Sequence, residues 1–254
     1  MNLVEQYLEY PEPSKTEHLW RYTPWKKVHP LGEFSKIPKD VIFVKANLTY
    51  LDGTLPEKIS LEETKEDPLN KPFEPEVSAS FIRAICKGSC YKLIIPENTK
   101  IDQPLLLELN VSGYVSAFHL VLENNSNSDV ELITSIQGDT EWFGFLREGS
   151  IQHNSHFSEL LVNQLNKNSV FLRAENFILK ENSKMNSATL SVGGSNCKSD
   201  VRALIQGRGV DYNQKIAIHG KNKRNDDIHL RIIHECGNSN SRVIAHTICD
   251  DSSR

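Results

Sequence analysis

Ser187-Ala188-Thr189-Leu190-Ser191-Val192 alternates polar and apolar residues, and the same beat returns at Val201-Arg202-Ala203 through Ile205 and at Ile228-His229-Leu230-Arg231-Ile232. Side chains two apart on an extended chain face the same way. The spacing therefore predicts strands that set Ala188, Leu190 and Val192, then Val201, Ala203 and Ile205, then Ile228, Leu230 and Ile232, on one inner face. From about Leu105 onward such segments follow one another, each closed by Gly, Asn, Ser or Asp, with no convincing helical period between them. This pattern selects a mainly β chain built as a solenoid, barrel or sandwich. Two features favour the solenoid. Turns such as Asn124-Asn125-Ser126-Asn127-Ser128 and Asn238-Ser239-Asn240-Ser241 lack the Asn-Gly or Asp-Gly pair of tight hairpins. The strands also recur at roughly even spacing of about a dozen residues or more, as expected of stacked coils.

Upstream the period differs. Leu3, Tyr7 and Leu8 sit at helical spacing until Pro11 and Pro13 interrupt. Ser14-Lys15-Thr16-Glu17 has the residues of a capping box and predicts a second short helix, limited by Pro24. Val41 to Val44 is a candidate strand, whereas the acidic, proline-punctuated residues 56 to 76 read as a connection outside the core. Val77, Phe81, Ala84 and Ile85 return to helical spacing, with Gly88 placed to end that helix. The expected division is a small helical and mixed N-terminal region over residues 1–90 and a β core over 91–254.

At 254 residues the chain can bury a sizeable core. A net charge of −4 gives no basic footprint for nucleic acid. No stretch approaches the roughly 20 apolar residues of a membrane helix, and no basic-then-apolar signal follows Met1. A cytoplasmic location without membrane contact is the expectation. Five cysteines, an odd number, predict reduced and mostly buried thiols.

His234 and Cys236 continue the parity of Ile228, Leu230 and Ile232, so both are expected to point inward, where a thiolate and an imidazole can share a metal. Packing alone explains the same pair, since buried Cys and His are ordinary core residues. Cys197, after Gly194 and Ser195, reads as an exposed thiol in a turn. His246 and Cys249 face opposite sides of a strand, His153 and His156 read as surface residues, and Cys86 and Cys90 are separated by Gly88. There is no Gly-x-Ser-x-Gly elbow, and Gly193-Gly194 and Gly207-Arg208-Gly209 lack the companions of a phosphate loop. A carbohydrate-cleaving solenoid or a cupin-like enzyme needs clustered carboxylates or histidines, and Glu131 and Glu235 stand alone. Lys221-Asn222-Lys223-Arg224 with Asp226-Asp227 reads as a solvated loop that compensates its own charge.

Glu17-His18-Leu19-Trp20-Arg21-Tyr22-Thr23 resembles the Glu-x-x-Trp-Arg-Tyr-Thr signature near the start of SufD-type proteins, in the SufB/SufD family of iron–sulfur cluster assembly. Lys92-Leu93-Ile94-Ile95-Pro96-Glu97-Asn98, with Pro104 and a leucine strand after it, is similar to the family's entry into its β-helix. The tail from His234 through Ser241 to Asp250-Asp251-Ser252-Ser253-Arg254 resembles the family's core stretch.

The resemblance implies a right-handed parallel β-helix behind a helical N-terminal region. It implies a non-enzymatic scaffold working with a SufB-like protein and a SufC-type ABC ATPase. Iron or an iron–sulfur cluster would touch the chain only in passing; the family's cluster-building Cys and His lie beyond the matching point and are not carried over, so His234 and Cys236 are candidate contacts by strand parity alone. The family's β-helix and ATPase-binding helices continue beyond the point matching Arg254, so a shortened homologue or a piece of a longer protein is expected. A last coil around Arg242 to Cys249 would then be an open edge, predicting association with a second copy or a SufB-like chain. A solenoid that only self-assembles is a third reading.

Overall fold

Residues 2–65 and 76–254 are described by a computed structural model. The N-terminal region carries α1 (Leu3–Leu8), a 3-10 turn (His18–Trp20), α2 (Trp25–Val28), β1 (Ile42–Phe43), β2 (Ala46–Tyr50), β3 (Ser60–Lys65) and α3 (Val77–Ile85). The coils follow as β4 (Ser89–Ile95), β5 (Leu105–Asn124), β6 (Asp129–Ile151), β7 (His156–Leu165), β8 (Val170–Leu179), β9 (Lys184–Ser191), β10 (Asn196–Ile205), β11 (Asp211–Gly220), β12 (Asn225–His234) and β13 (Asn240–Cys249). They form a β-solenoid of about 6 turns.

From β4 onward every coil-to-coil pairing is parallel, in the order β12-β10-β8-β6-β7-β9-β11-β13. Strand β6 serves both faces, its first half pairing with β7 and its second with β8. Two flat faces thus enclose one interior, in which aromatic rings stack from rung to rung. Phe118 lies over Phe145 at 6.0 Å, and Phe143 over Phe171 at 5.8 Å with the rings 5° apart. Each such ring removes about 150–250 Å² from water, roughly 4–6 kcal/mol at ~25 cal/mol per Å².

The coil repeat is written at one corner. Asn98, Asn127, Asn154, Asn182, Gly209 and Asn238 all have positive φ. Asparagine tolerates this left-handed backbone better than other side chains that carry a Cβ. Each corner residue up to Gly209 donates its backbone N–H to the next coil, as Asn127 does to the His153 carbonyl and Asn182 to that of Arg208. The Asn127, Asn154 and Asn182 side-chain amides each donate to the Oδ1 of the asparagine one rung earlier, at 3.2–3.3 Å. At Gly209 a Cβ would stand 2.4 Å from Asn182 Oδ1, so glycine replaces asparagine there.

The N-terminal region covers the outer side of the β6–β8–β10 face. Tyr7, Trp20, Trp25, Val28, Phe81 and Ile82 pack against Val115, Ala117, Trp142, Leu146, Leu172 and Ala174 as a second core. Trp142 donates its indole N–H to the Val28 carbonyl. The expected α1, the strand at Ile42–Phe43 and helix α3 are present, and α3 ends at Lys87 and Gly88 with positive φ.

Three expectations are corrected. Ser14 and Glu17 make only half a capping box: Glu17 accepts from the Ser14 amide, while the Ser14 hydroxyl accepts from Thr16, and a single 3-10 turn follows that ends at Trp20, before Pro24 caps α2. Within the connection expected over 56 to 76, Ser60–Lys65 is a strand paired antiparallel with β4, and 66–75 lie outside the described residues. On β9 the alternation is read from the wrong side: Ser187, Thr189 and Ser191 are buried, while Leu190 and Val192 are exposed.

Candidate functional site

The inward hydroxyls of β9 have partners, because the interior carries charge. Arg147 on β6 is fully buried and forks onto the Glu159 carboxylate of β7 while its Nη2 reaches Glu175 of β8. Arg173 binds Glu175 through Nε and Nη2 at 2.8 and 2.9 Å and donates to Thr189. Ser187 donates to Glu159. Phe145 and Phe177 carry the Arg147 guanidinium on their faces. Burial raises the Glu175 carboxyl, but Arg147 and Arg173 outweigh it and hold the group below its ordinary value. Inward acids therefore do exist, contrary to the sequence expectation, yet each is locked to an arginine inside a closed stack. The set is a structural ion network, a type that is costly to break.

A second charged layer lies on the outer face, beneath the N-terminal region. Arg83 of α3 grips Glu148 with 2.8 Å contacts, and His119 and Asn176 also contact that carboxylate. Lys198 donates to the Leu19 carbonyl, pairs with Asp227 and lies over the Trp20 ring. Asp200 pairs with Arg202 and His229. Glu76 caps α3 by accepting from Ala79, and burial, with the Asp200 charge added, pushes its carboxyl up to about 7. The Trp20 of the quoted signature thus fastens the N-terminal region to β10, while its Tyr22 is 70% exposed.

His234 closes β12 in register with the interior position Ile205. Its ring nitrogens meet the Ser239 and Ser241 hydroxyls at 2.8 and 3.0 Å, and the residue is exposed at the end of the stack. Cys236 lies past the strand end, in the turn, where its thiol donates to the Gln206 carbonyl at 3.0 Å. It lines an open groove of about 510 Å³ with His153, Lys180, Glu181, Gln206, Gly207 and Arg208. Among the described residues no cluster of three or more His, Cys, Asp and Glu is spaced to hold a metal ion.

Cys197 is not the exposed turn thiol expected of it. It sits on β10, 3% exposed, with its Sγ at 3.5 Å from the Gly193 carbonyl, and burial pushes its thiol up to about 12. Cys86 and Cys90 are buried and unbridged; Cys249 is exposed. His153 and His246 are exposed, while His156 bridges Asp129, Ser158 and Asn186 on the outside of β7. The segment from Lys221 to Asp227 compensates its own charge only in part: Asp226 pairs with Arg224 as expected, whereas Asp227 goes to Lys198.

Among the described residues no helix is long and apolar enough to cross a membrane. Residues 108–254 match the sequence model of a family described as "SUF system FeS cluster assembly, SufBD core domain". The matched span begins on β5 and runs to the last residue, so it covers the coil stack from β5 onward. No curated protein matches the chain.

Proposed function

Because this chain belongs to the SufBD core family of iron–sulfur cluster assembly, we propose that it is a SufD-like, non-enzymatic scaffold of that machinery. Its partners are a SufB-like protein and a SufC-type ATPase. The observation that carries this reading is the coincidence of the family match with the coil stack. The physical support is rigidity. The interior arginines and glutamates of β6, β7 and β8 are paired with one another, which suits a platform whose faces keep a fixed register while partners dock.

The cluster is cargo in this reading, and His234 and Cys236 are its contact point. Both sit at the accessible end of the stack, and both hold only exchangeable hydrogen bonds, to serine hydroxyls and a carbonyl. An imidazole nitrogen and a thiolate are suitable iron ligands once those bonds are released.

Co-expression with SufB-like and SufC-type chains, followed by anaerobic affinity capture, tests the assembly role. Stable capture of both is expected; absence of capture together with hydrolysis of a polysaccharide panel would overturn it. For the contact point, iron and sulfide are quantified in the captured complex carrying H234A and C236A. Unchanged content would remove these two residues from the proposal.

A further inference from the structure

The loops at the corner opposite the asparagine ladder enclose a groove of about 370 Å³ lined by Lys167, Asn168, Val192, Gly194, Ser195, Lys221, Asn222, Lys223 and Arg224. Its cations come from the turns after β7 and β11, whose coils rise by roughly 4.8 Å per rung. Three lysines and the Asp226-paired Arg224 therefore line the groove over a few rungs, and no Asp or Glu lines it. The carboxylates nearby are already engaged, Asp226 and Asp251 with groove residues themselves and Asp227 and Asp250 elsewhere. Asp226 holds Arg224, Asp227 holds Lys198, Asp250 holds His219, and Asp251 accepts from the Asn222 amide. Among the described residues Lys167, Lys221 and Lys223 have no ion-pair partner, and all three are exposed.

Arg224 supplies an independent sign. It is 3% exposed, and its Nε and Nη2 are taken by Asp226 and Ser191, but its buried Nη1 donates to nothing. An unpaired buried guanidinium nitrogen is costly unless a ligand or water completes it. Tetrahedral phosphate oxygens suit three mobile ammonium groups above one fixed guanidinium. The volume matches a small molecule rather than an extended acidic segment. We infer that this groove binds a small phosphate-bearing ligand, the phosphate lying between Lys167, Lys221 and Lys223 with Arg224 beneath it.

The test is calorimetric titration of the full chain with inorganic pyrophosphate at low salt, repeated with K167Q/K221Q/K223Q. The variant changes only exposed side chains, so an unchanged melting temperature certifies its fold. Saturable one-to-one binding is expected, weakened about tenfold for each lysine removed. Absence of saturable binding at millimolar pyrophosphate, or equal binding by the variant, would overturn the assignment. So would lysine-dependent binding of a polyglutamate peptide, or of phosphatidylserine vesicles, that pyrophosphate does not displace.

Discussion

Replacing Arg147 with methionine removes the cation that joins three successive strands while keeping an apolar chain between Phe145 and Phe177. The Glu159 carboxylate then loses its only charged partner among the described residues, and Glu175 keeps Arg173 alone. Deleting one member of a buried ion pair costs about 3–5 kcal/mol, because the remaining charge stays desolvated. Against a typical stability of roughly 5–15 kcal/mol this is a large fraction. Urea unfolding followed by tryptophan fluorescence measures it, since Trp20, Trp25 and Trp142 are all buried against the coils. Adding E159Q to R147M makes the region neutral again and should recover more than half of the loss. The sign with pH follows from Glu175. Its folded value lies below the ordinary 4.5, so its ion-pair stabilisation is complete above 4.5 and is lost as pH falls through the folded value. The parent should therefore fall towards R147M on acidification. A loss under about 1 kcal/mol for R147M, or a double variant no better than the single one, would refute a network that holds the interior together.

Three further outcomes are expected. Glu76 is raised from 4.5 to about 7, so its contribution is fully present below 4.5 and lost as pH rises through about 7. The melting temperature should drop across that window in the parent and stay level in E76Q. Asn154 has φ 55 and both donates and accepts in the corner ladder. Asn154→Ala should lower stability by about 1–2 kcal/mol and Asn154→Gly by less, read from urea midpoints, because glycine relieves the backbone strain but not the lost bonds. Under native conditions a maleimide should label Cys249 and leave Cys197 untouched until denaturant is added, as mass spectrometry of the peptides would reveal.

Strand alternation and turn composition were enough to read the architecture, because parity and punctuation are local properties. What lay outside local reading was which parity faces inward when the interior is polar. On β9 the alternation points the apolar residues Ala188 and Leu190 to the core, yet Ser187 and Thr189 occupy it to serve Glu159 and Arg173. A signal is present on the preceding strand in sequence, β8: Phe171, Arg173, Glu175 and Phe177 share one parity, so the charges are bound to the same side as the rings. The coil length was legible too, in asparagines recurring from Asn98 to Asn238, but shows only when turns are compared with each other. Cys197 escapes a local reading because Gly194 and Ser195 suggest a turn that in fact ends at Ser195, with β10 already under way at Asn196. The N-terminal attachment rests on pairs such as Lys198 with Leu19, 179 positions apart, which no local pattern encodes.

The corner ladder also limits how such a chain can change length. A one-residue insertion inside a rung would turn every later side chain to the opposite face, exchanging Phe177 for Asn176. A whole rung gained or lost between two corner asparagines would instead return the chain to the same corner with its facing intact. Variation in this architecture should therefore come in steps of a complete winding, and tandem duplication is a natural route by which it lengthens.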